Sequence, residues 1–234
     1  MQDPEGPLFT MGPDHQEMIL TSERPVEGPG QLGKAAVFLD RDGTLIEENE
    51  RVEWPEQVVL LPGVAEAIRR LRSAGYRAIV VTNQSAIARG LLDEARLARV
   101  HAGLRSRLST LGAGLDDIYF CPDAPDAQAE KDLPFALRKP GAGMLLRAAE
   151  EHGLVLSRCW MIGDQLRDVI AGRRAGCRGN LLVRTGRAPL PPAEASEKAD
   201  GIFDDLSAAV QFVLSGQGPA SRPEAARRPR PHPR

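Results

Sequence analysis

Ala35 to Ile46 reads AAVFLDRDGTLI: an apolar run stops at Asp40, a second aspartate follows at Asp42, and Gly43-Thr44 turns the chain away. A short apolar run bounded by a turn predicts a strand over 35–40, buried on both faces of a parallel sheet. Open α/β sheets place their chemistry at the carboxyl ends of their strands. Two carboxylates at the tip of such a strand repel each other and are costly to desolvate. They are kept where a cation or a substrate requires them. A loop that merely solvates two acids would account for the Asp-Gly turn but not for the second aspartate.

Outward from this strand, strands and helices alternate. Pro62-Gly63 opens a helix over 64–74 with Val64, Ala67, Ile68 and Leu71 on one face and Gly75 as its stop. Arg77 to Thr82 is a second buried strand, and Asp93 caps a long helix reaching about Leu111. A short strand at Asp117–Cys121, a helix at Gly141–His152 and a strand at Arg158–Ile162 follow, the last running into Gly163-Asp164. A helix over 166–175, a strand at Asn180–Val183 and a final strand–helix pair from Gly201 to Leu214 complete the series. This alternation predicts an α/β domain over 34–214: a doubly wound, mainly parallel sheet with helices on both faces.

The two ends differ from the middle. Residues 1–33 are rich in Gly, Pro and acids and predict a disordered arm. The tail at 215–234, SGQGPASRPEAARRPRPHPR, predicts a disordered, extended Pro/Arg-rich segment, read as a solvated tail rather than a dedicated anion-binding arm.

A formal net charge of -2 over 234 residues gives no reason to expect nucleic acid or an anionic membrane as partner. Aromatics at 4% leave no basic stripe with interleaved rings, which single-stranded nucleic acid would need. Cys121, Cys159 and Cys177 are odd in number and form no CxxC pattern, which suits a reducing compartment. Neither a membrane span nor a signal peptide is evident. The expectation is a cytoplasmic, monomeric enzyme acting on a small metabolite.

Polar residues collect at the predicted strand ends. Asp40 and Asp42 follow the first strand, Thr82-Asn83-Gln84-Ser85 the second, Arg138-Lys139 precede the helix after the third, and Asp164 and Asp168 follow the fourth. A TNQS turn alone is a helix cap and an Arg-Lys pair alone is a solvated one. Four groups at four strand ends are hard to attribute to capping. Their chemistry agrees too: carboxylates for a hard cation, hydroxyl and amide donors for phosphate oxygens, and a lysine to neutralise charge.

In that order, DRDGT, TNQS, RKP and GDxxxD resemble the haloacid dehalogenase superfamily of phosphotransferases. The longer stretches FLDRDGTL, VVTNQSAIARG, RKPGAGMLL and MIGDQLRD, with LVRTG after them, look like the group holding the D-glycero-D-manno-heptose 1,7-bisphosphate 7-phosphatases and the histidinol phosphatases. The likeness spans residues 35–214. It implies a phosphatase without a large cap domain, dependent on Mg2+ held by Asp40, Asp164 and the backbone carbonyl of Asp42. In the roles it implies, Asp40 is the nucleophile that forms an aspartyl-phosphate, Asp42 the general acid and base, and Thr82 and Lys139 the stabilisers of the transferred group. Asp168 supports Lys139 or the metal's outer shell. The implied substrate contacts are Asn83, Gln84, Ser85, Arg138 and Arg51.

Three departures from the group bear on substrate choice. Its zinc-binding loop has Cys-x-His and Cys-x-Cys; here the first reads Cys121-Pro122-Asp123 and the second falls on Phe135 and Leu137. One thiolate and one carboxylate do not make a closed zinc site, so no zinc is expected, and Leu133, Phe135 and Leu137 are expected to hold the 122–137 loop by packing. Gln165 stands where many members carry lysine, and Glu47, Glu48 and Glu50 form an acidic rim. A second substrate phosphate would then be met mainly by Arg138 and Arg51, and preference for a bisphosphate should be weaker than in the zinc-bearing members.

His101 and His152 fall on amphipathic helices and read as surface or packing residues, and Cys159 as an inert core thiol. Trp54 suits either a substrate contact or a cover over the first helix. The favoured function is removal of the 7-phosphate of the heptose 1,7-bisphosphate. Histidinol phosphate or another small metabolite is the alternative substrate; a nucleic-acid 3'-phosphatase and a non-catalytic binding protein are further off.

Overall fold

Each residue of β1 (Ala36–Leu39) is fully buried, because this strand lies inside a six-stranded sheet and is covered on both faces. The computed structural model describes residues 35–49, 51–124, 136–187 and 199–216. The two predicted disordered ends lie outside those residues, apart from the junctions with the domain. β2 (Arg77–Asn83), β3 (Asp117–Cys121), β4 (Trp160–Gly163), β5 (Gly179–Val183) and β6 (Gly201–Phe203) complete the sheet in the order β3-β2-β1-β4-β5-β6. Every neighbouring pair is parallel.

The alternation of side chains along β1 separates two cores. Val37 and Leu39 pack with residues of α1 (Val64–Ser73), α2 (Glu94–Thr110) and α5 (Leu206–Leu214). Ala36 and Phe38 face the other layer, built from α3 (Gly143–His152) and α4 (Leu166–Ala175). The faces are those the sequence assigns: Val64, Ala67, Ile68 and Leu71 of α1 are buried, as are Leu97, Val100, Leu104 and Leu108 of α2. Asp93 caps α2 by accepting from the Arg96 amide at 2.7 Å. This is the doubly wound α/β fold the alternation predicts.

Two element starts shift by two residues. The fourth strand begins at Trp160, because Leu156–Arg158 coil into a single 3-10 turn before it. α3 begins at Gly143, because Gly141 donates to the Arg138 carbonyl and the backbone closes a turn first. Between β1 and α1 the chain makes only isolated bridges, Asp42 with Ile46 and Ile46 with Leu60, and no inserted domain stands there among the described residues. No helix among the described residues is long and apolar enough to cross a membrane.

Candidate active site

The strand order reverses direction between β1 and β4, and such a switch point is where the crevice of an open α/β sheet forms. Asp40 leaves β1 with its amide bonded to the Ile162 carbonyl of β4 at 3.0 Å, and Asp164 leaves β4 next door. Sequence-distant carboxylates therefore converge: oxygens of Asp40, Asp164 and Asp168 lie within 4.8 Å of one another. Lys139 arrives from the segment before α3. Its Nζ, fully buried, lies 2.7 Å from Asp40 Oδ1, 2.7 Å from Asp168 Oδ1 and 2.7 Å from the Val81 carbonyl. Burial alone would push the ammonium toward its neutral form; the carboxylates of Asp168 and Asp40 overturn that and hold it above the usual lysine range.

Asp168 is thereby accounted for. One oxygen faces Lys139 and the other accepts from the Gln165 amide at 3.0 Å, capping α4. Asp164 differs. Its Oδ1 is buried without a hydrogen-bond partner among the described residues. Its carboxyl is pushed up to about 8 by burial, then by the charges of Asp40, Asp168 and Glu48. A buried carboxylate with an unpartnered oxygen beside a second carboxylate fits a hard divalent cation, which takes oxygen ligands and neutralises both charges. Of the three carboxylates, Asp40 and Asp164 retain the capacity for it.

Two glycines make room around Asp164. Gly43, at φ 77°, turns the chain after Asp42, and a Cβ there would stand 2.8 Å from Asp164 Oδ2 and 2.9 Å from the Gly186 Cα. A Cβ on Gly186 would overlap the same carboxylate. Thr185 Oγ1 donates to the Gly43 carbonyl at 2.6 Å, tying the loop after β5 to the turn.

Asp42 is held by Arg41, which sequence reading missed, and by Gln84, which it named as a substrate contact. Arg41, 2% exposed, grips its carboxylate with Nε and a terminal nitrogen at 3.0–3.3 Å, and Gln84 Nε2 donates to Asp42 Oδ2 at 3.1 Å and to Thr82 Oγ1 at 2.9 Å. The remaining terminal nitrogen of Arg41 lies 3.3 Å from His101 Nε2. A guanidinium only donates, so this ring nitrogen accepts and the proton sits on Nδ1. Burial first, then the charges of Arg41 and Arg105, drive the ring down to about 3. His101, expected as a surface or packing residue, is thus a buried neutral acceptor for a buried cation.

An acid-stability prediction follows for His101. The unfolded chain protonates it near pH 6.5, while the folded chain resists until about pH 3. Stability is lost as pH falls through that window, by up to about 1.4 kcal/mol per unit. Urea unfolding of wild type and His101→Gln between pH 7 and pH 4 should give the shallower acid dependence in the variant. Parallel curves would mean that the folded protein accepts the proton.

The other expected residues fall into two sets. Thr82 is buried at the end of β2, with Gln84 bonded as above and Ser85 lining an adjoining cavity of about 170 Å³. Asn83 touches that cavity too, but its amide brackets the Lys139 backbone, donating to its carbonyl at 2.9 Å and accepting from its N–H at 3.0 Å. Arg51 lines the cavity and pairs with Glu53 at 3.4 Å. Arg138 donates to the Asp123 carbonyl at 2.9 Å and is not among the described residues that line the cavity. Arg167, which sequence reading passed over, is in the lining.

Cys121 is buried and donates to Asp123 Oδ2 at 3.4 Å, its thiol pushed up to about 11, mainly by burial. Leu133 and Phe135 lie outside the described residues. Leu137 is 41% exposed, which contradicts the expectation that it packs the loop down: at that point the chain is already turning toward Arg138 on the surface. Trp54 lies under the Arg96 guanidinium of α2, 4.8 Å from the ring centre.

Comparison with known proteins finds relatives along most of the chain. The HAD-hydrolase-like family model matches residues 136–209. The D-glycero-beta-D-manno-heptose-1,7-bisphosphate 7-phosphatase of Haemophilus ducreyi is 38% identical over 183 residues, 78% of this chain and 100% of its own length. The D-glycero-D-manno-heptose-1,7-bisphosphate 7-phosphatase of Thermosynechococcus vestitus is 39% identical, covering 80% and 100%. Among solved structures, the D,D-heptose 1,7-bisphosphate phosphatase of B. bronchiseptica, complexed with magnesium and phosphate, matches with a TM-score of 0.65 at 33% identity, covering 79% of this chain and 99% of that one.

Proposed function

Because the chain belongs to the heptose-bisphosphate 7-phosphatase family of haloacid dehalogenase-like hydrolases, we propose that it is a Mg2+-dependent phosphomonoesterase removing the 7-phosphate of D-glycero-D-manno-heptose 1,7-bisphosphate. The observation that carries the reading is the pairing of Asp40 with Asp164, whose buried Oδ1 has no protein partner among the described residues. Asp40, Asp164 and the backbone carbonyl of Asp42 would hold Mg2+, which when bound screens the repulsion between carboxylate and dianionic ester.

Lys139 fixes Asp40 through Oδ1, leaving Oδ2 to attack phosphorus. As the Asp40–phosphorus bond forms, the bond to the sugar oxygen breaks and Asp42 gives that oxygen its proton. Asp42 then takes a proton from the water that attacks the aspartyl-phosphate, releasing inorganic phosphate and restoring Asp40. Thr82 and the amides beyond β2 hold the equatorial oxygens, and Lys139 balances their charge. Arg41 and Gln84 keep Asp42 on the leaving-group side. Catalysis resides in residues 34–214 of a monomeric cytoplasmic enzyme of carbohydrate metabolism, consistent with its three unpaired cysteines.

A substrate panel tests the assignment. With Mg2+, the heptose bisphosphate should be turned over faster than histidinol phosphate or a 3'-phosphorylated oligonucleotide. EDTA should abolish turnover and Mg2+ restore it. Asp164→Asn should weaken the response to Mg2+ without unfolding the protein. Elemental analysis of protein purified without chelator should show zinc well below one equivalent; a stoichiometric, tightly held zinc would overturn the reading of the Cys121 loop. Faster hydrolysis of histidinol phosphate would reassign the substrate while leaving the chemistry intact.

A further inference from the structure

The cavity beside Asp42 belongs to the leaving group. Asp42 lines it, and the residue that protonates the leaving oxygen faces whatever that oxygen is attached to. At about 170 Å³ it has room for part of a small polar molecule.

Its charged lining is mixed, and most of it is committed. Arg41 is bound to Asp42 and His101, Arg51 to Glu53, and Glu48 accepts from the Arg187 amide at 2.6 Å. Arg167, near the start of α4, is different: it makes no hydrogen bond or ion pair among the described residues, and its Nε is buried without a partner. A buried guanidinium nitrogen left unpaired costs free energy unless something binds it. Its charge does reach the reaction centre, offsetting part of the upward push on Asp164, yet no carboxylate claims it. A planar fork of donors on the leaving-group side suits the oxygens of a phosphate, which it can engage through two parallel bonds.

We propose that Arg167 is a specificity-determining residue that binds the non-transferred phosphate of a bisphosphorylated substrate. The proposal rests on the reading of the site given above, and it changes the expected source of selectivity. The positive charge missing at Gln165 is supplied two positions later, on the first turn of the same helix. Arg138, which sequence reading assigned to this task together with Arg51, is not among the described residues that line the cavity. Preference for the bisphosphate should therefore be retained, with Arg167 contributing to it.

The test is kcat/KM for the heptose 1,7-bisphosphate and the heptose 7-phosphate, measured with Mg2+ on wild type, Arg167→Ala and Arg167→Lys. Loss of one charge-assisted contact should lower the bisphosphate-to-monophosphate ratio about ten- to a hundredfold in Arg167→Ala, through KM for the bisphosphate. Arg167→Lys should recover part of the ratio, since it keeps the charge but not the fork. An equal fall for both substrates, or an unchanged ratio, would overturn the proposal and assign Arg167 a general effect on the reaction centre or none. If wild type turns over neither heptose ester, the reading of the site falls and the proposal with it. If wild type prefers the bisphosphate and Arg167→Ala keeps that preference, the proposal alone falls.

Discussion

Asp40→Asn should fold like the wild type and lose at least about a thousandfold in kcat, roughly 4 kcal/mol of transition-state stabilisation. The expectation has two halves with different causes. Folding should survive because Lys139 keeps Asp168 at 2.7 Å when Asp40 loses its charge. Removing that charge also relieves Asp164, whose carboxyl is pushed up partly by Asp40. In metal-free buffer the variant's melting temperature should therefore match or exceed that of the wild type. Catalysis should fail because an amide oxygen is too weak a nucleophile to form the covalent intermediate. Steady-state kinetics with Mg2+ and a thermal melt without it decide both halves. Retention of more than about a tenth of kcat would exclude attack by Asp40.

Lys139→Met should be the most destabilising single change at the site. The lysine is fully buried between two carboxylates, and its removal leaves them with no counter-charge in a dry environment. Breaking a buried ion pair by deleting one partner costs about 3–5 kcal/mol. For a domain of this size, that is a fall in melting temperature of about 10 °C. Lys139→Met/Asp168→Asn should recover much of the stability, because one of the stranded charges goes with the lysine. It should recover none of the activity, because the cation facing Asp40 is still missing. A single mutant melting within about 2 °C of wild type would mean that Asp168 takes up a proton and that the pair is not ionic.

Sequence alone placed the backbone of this site well. The apolar runs ending at Asp40, Thr82 and Asp164 mark strand ends whatever the order of the sheet, and a parallel sheet brings all its carboxyl ends to one edge. What it left out depends on side-chain direction. Nothing in an Asp-Gly turn marks Arg41 as inward-facing; only the turn geometry brings it to His101, a residue 60 positions away. His101 shares the helical spacing of the buried face of α2, which allows it to pack inside but does not say what it faces. Arg167 sits in GDQLRD between two aspartates, where a solvated charge is the ordinary reading. The contact of Trp54 with α2 was not legible, because the chain after β1 passes α2 before α1 begins.

The central position of β1 also bears on how the chain is made. Its two neighbours are β2, encoded soon after it, and β4, encoded much later: the Ala36 amide meets the Cys159 sulfur across 123 positions. A nascent chain can thus complete β3-β2-β1 as a local half-sheet while one side of β1 waits with its backbone groups unpaired. Such an open, apolar edge is a template for the wrong partner, and long-range closure of this kind is slow. A ribosome pausing after β3 and before β4 would prolong that exposure. The same docking event that delivers Asp164 to Asp40 seals the edge, so the appearance of activity during synthesis should coincide with the loss of vulnerability to aggregation.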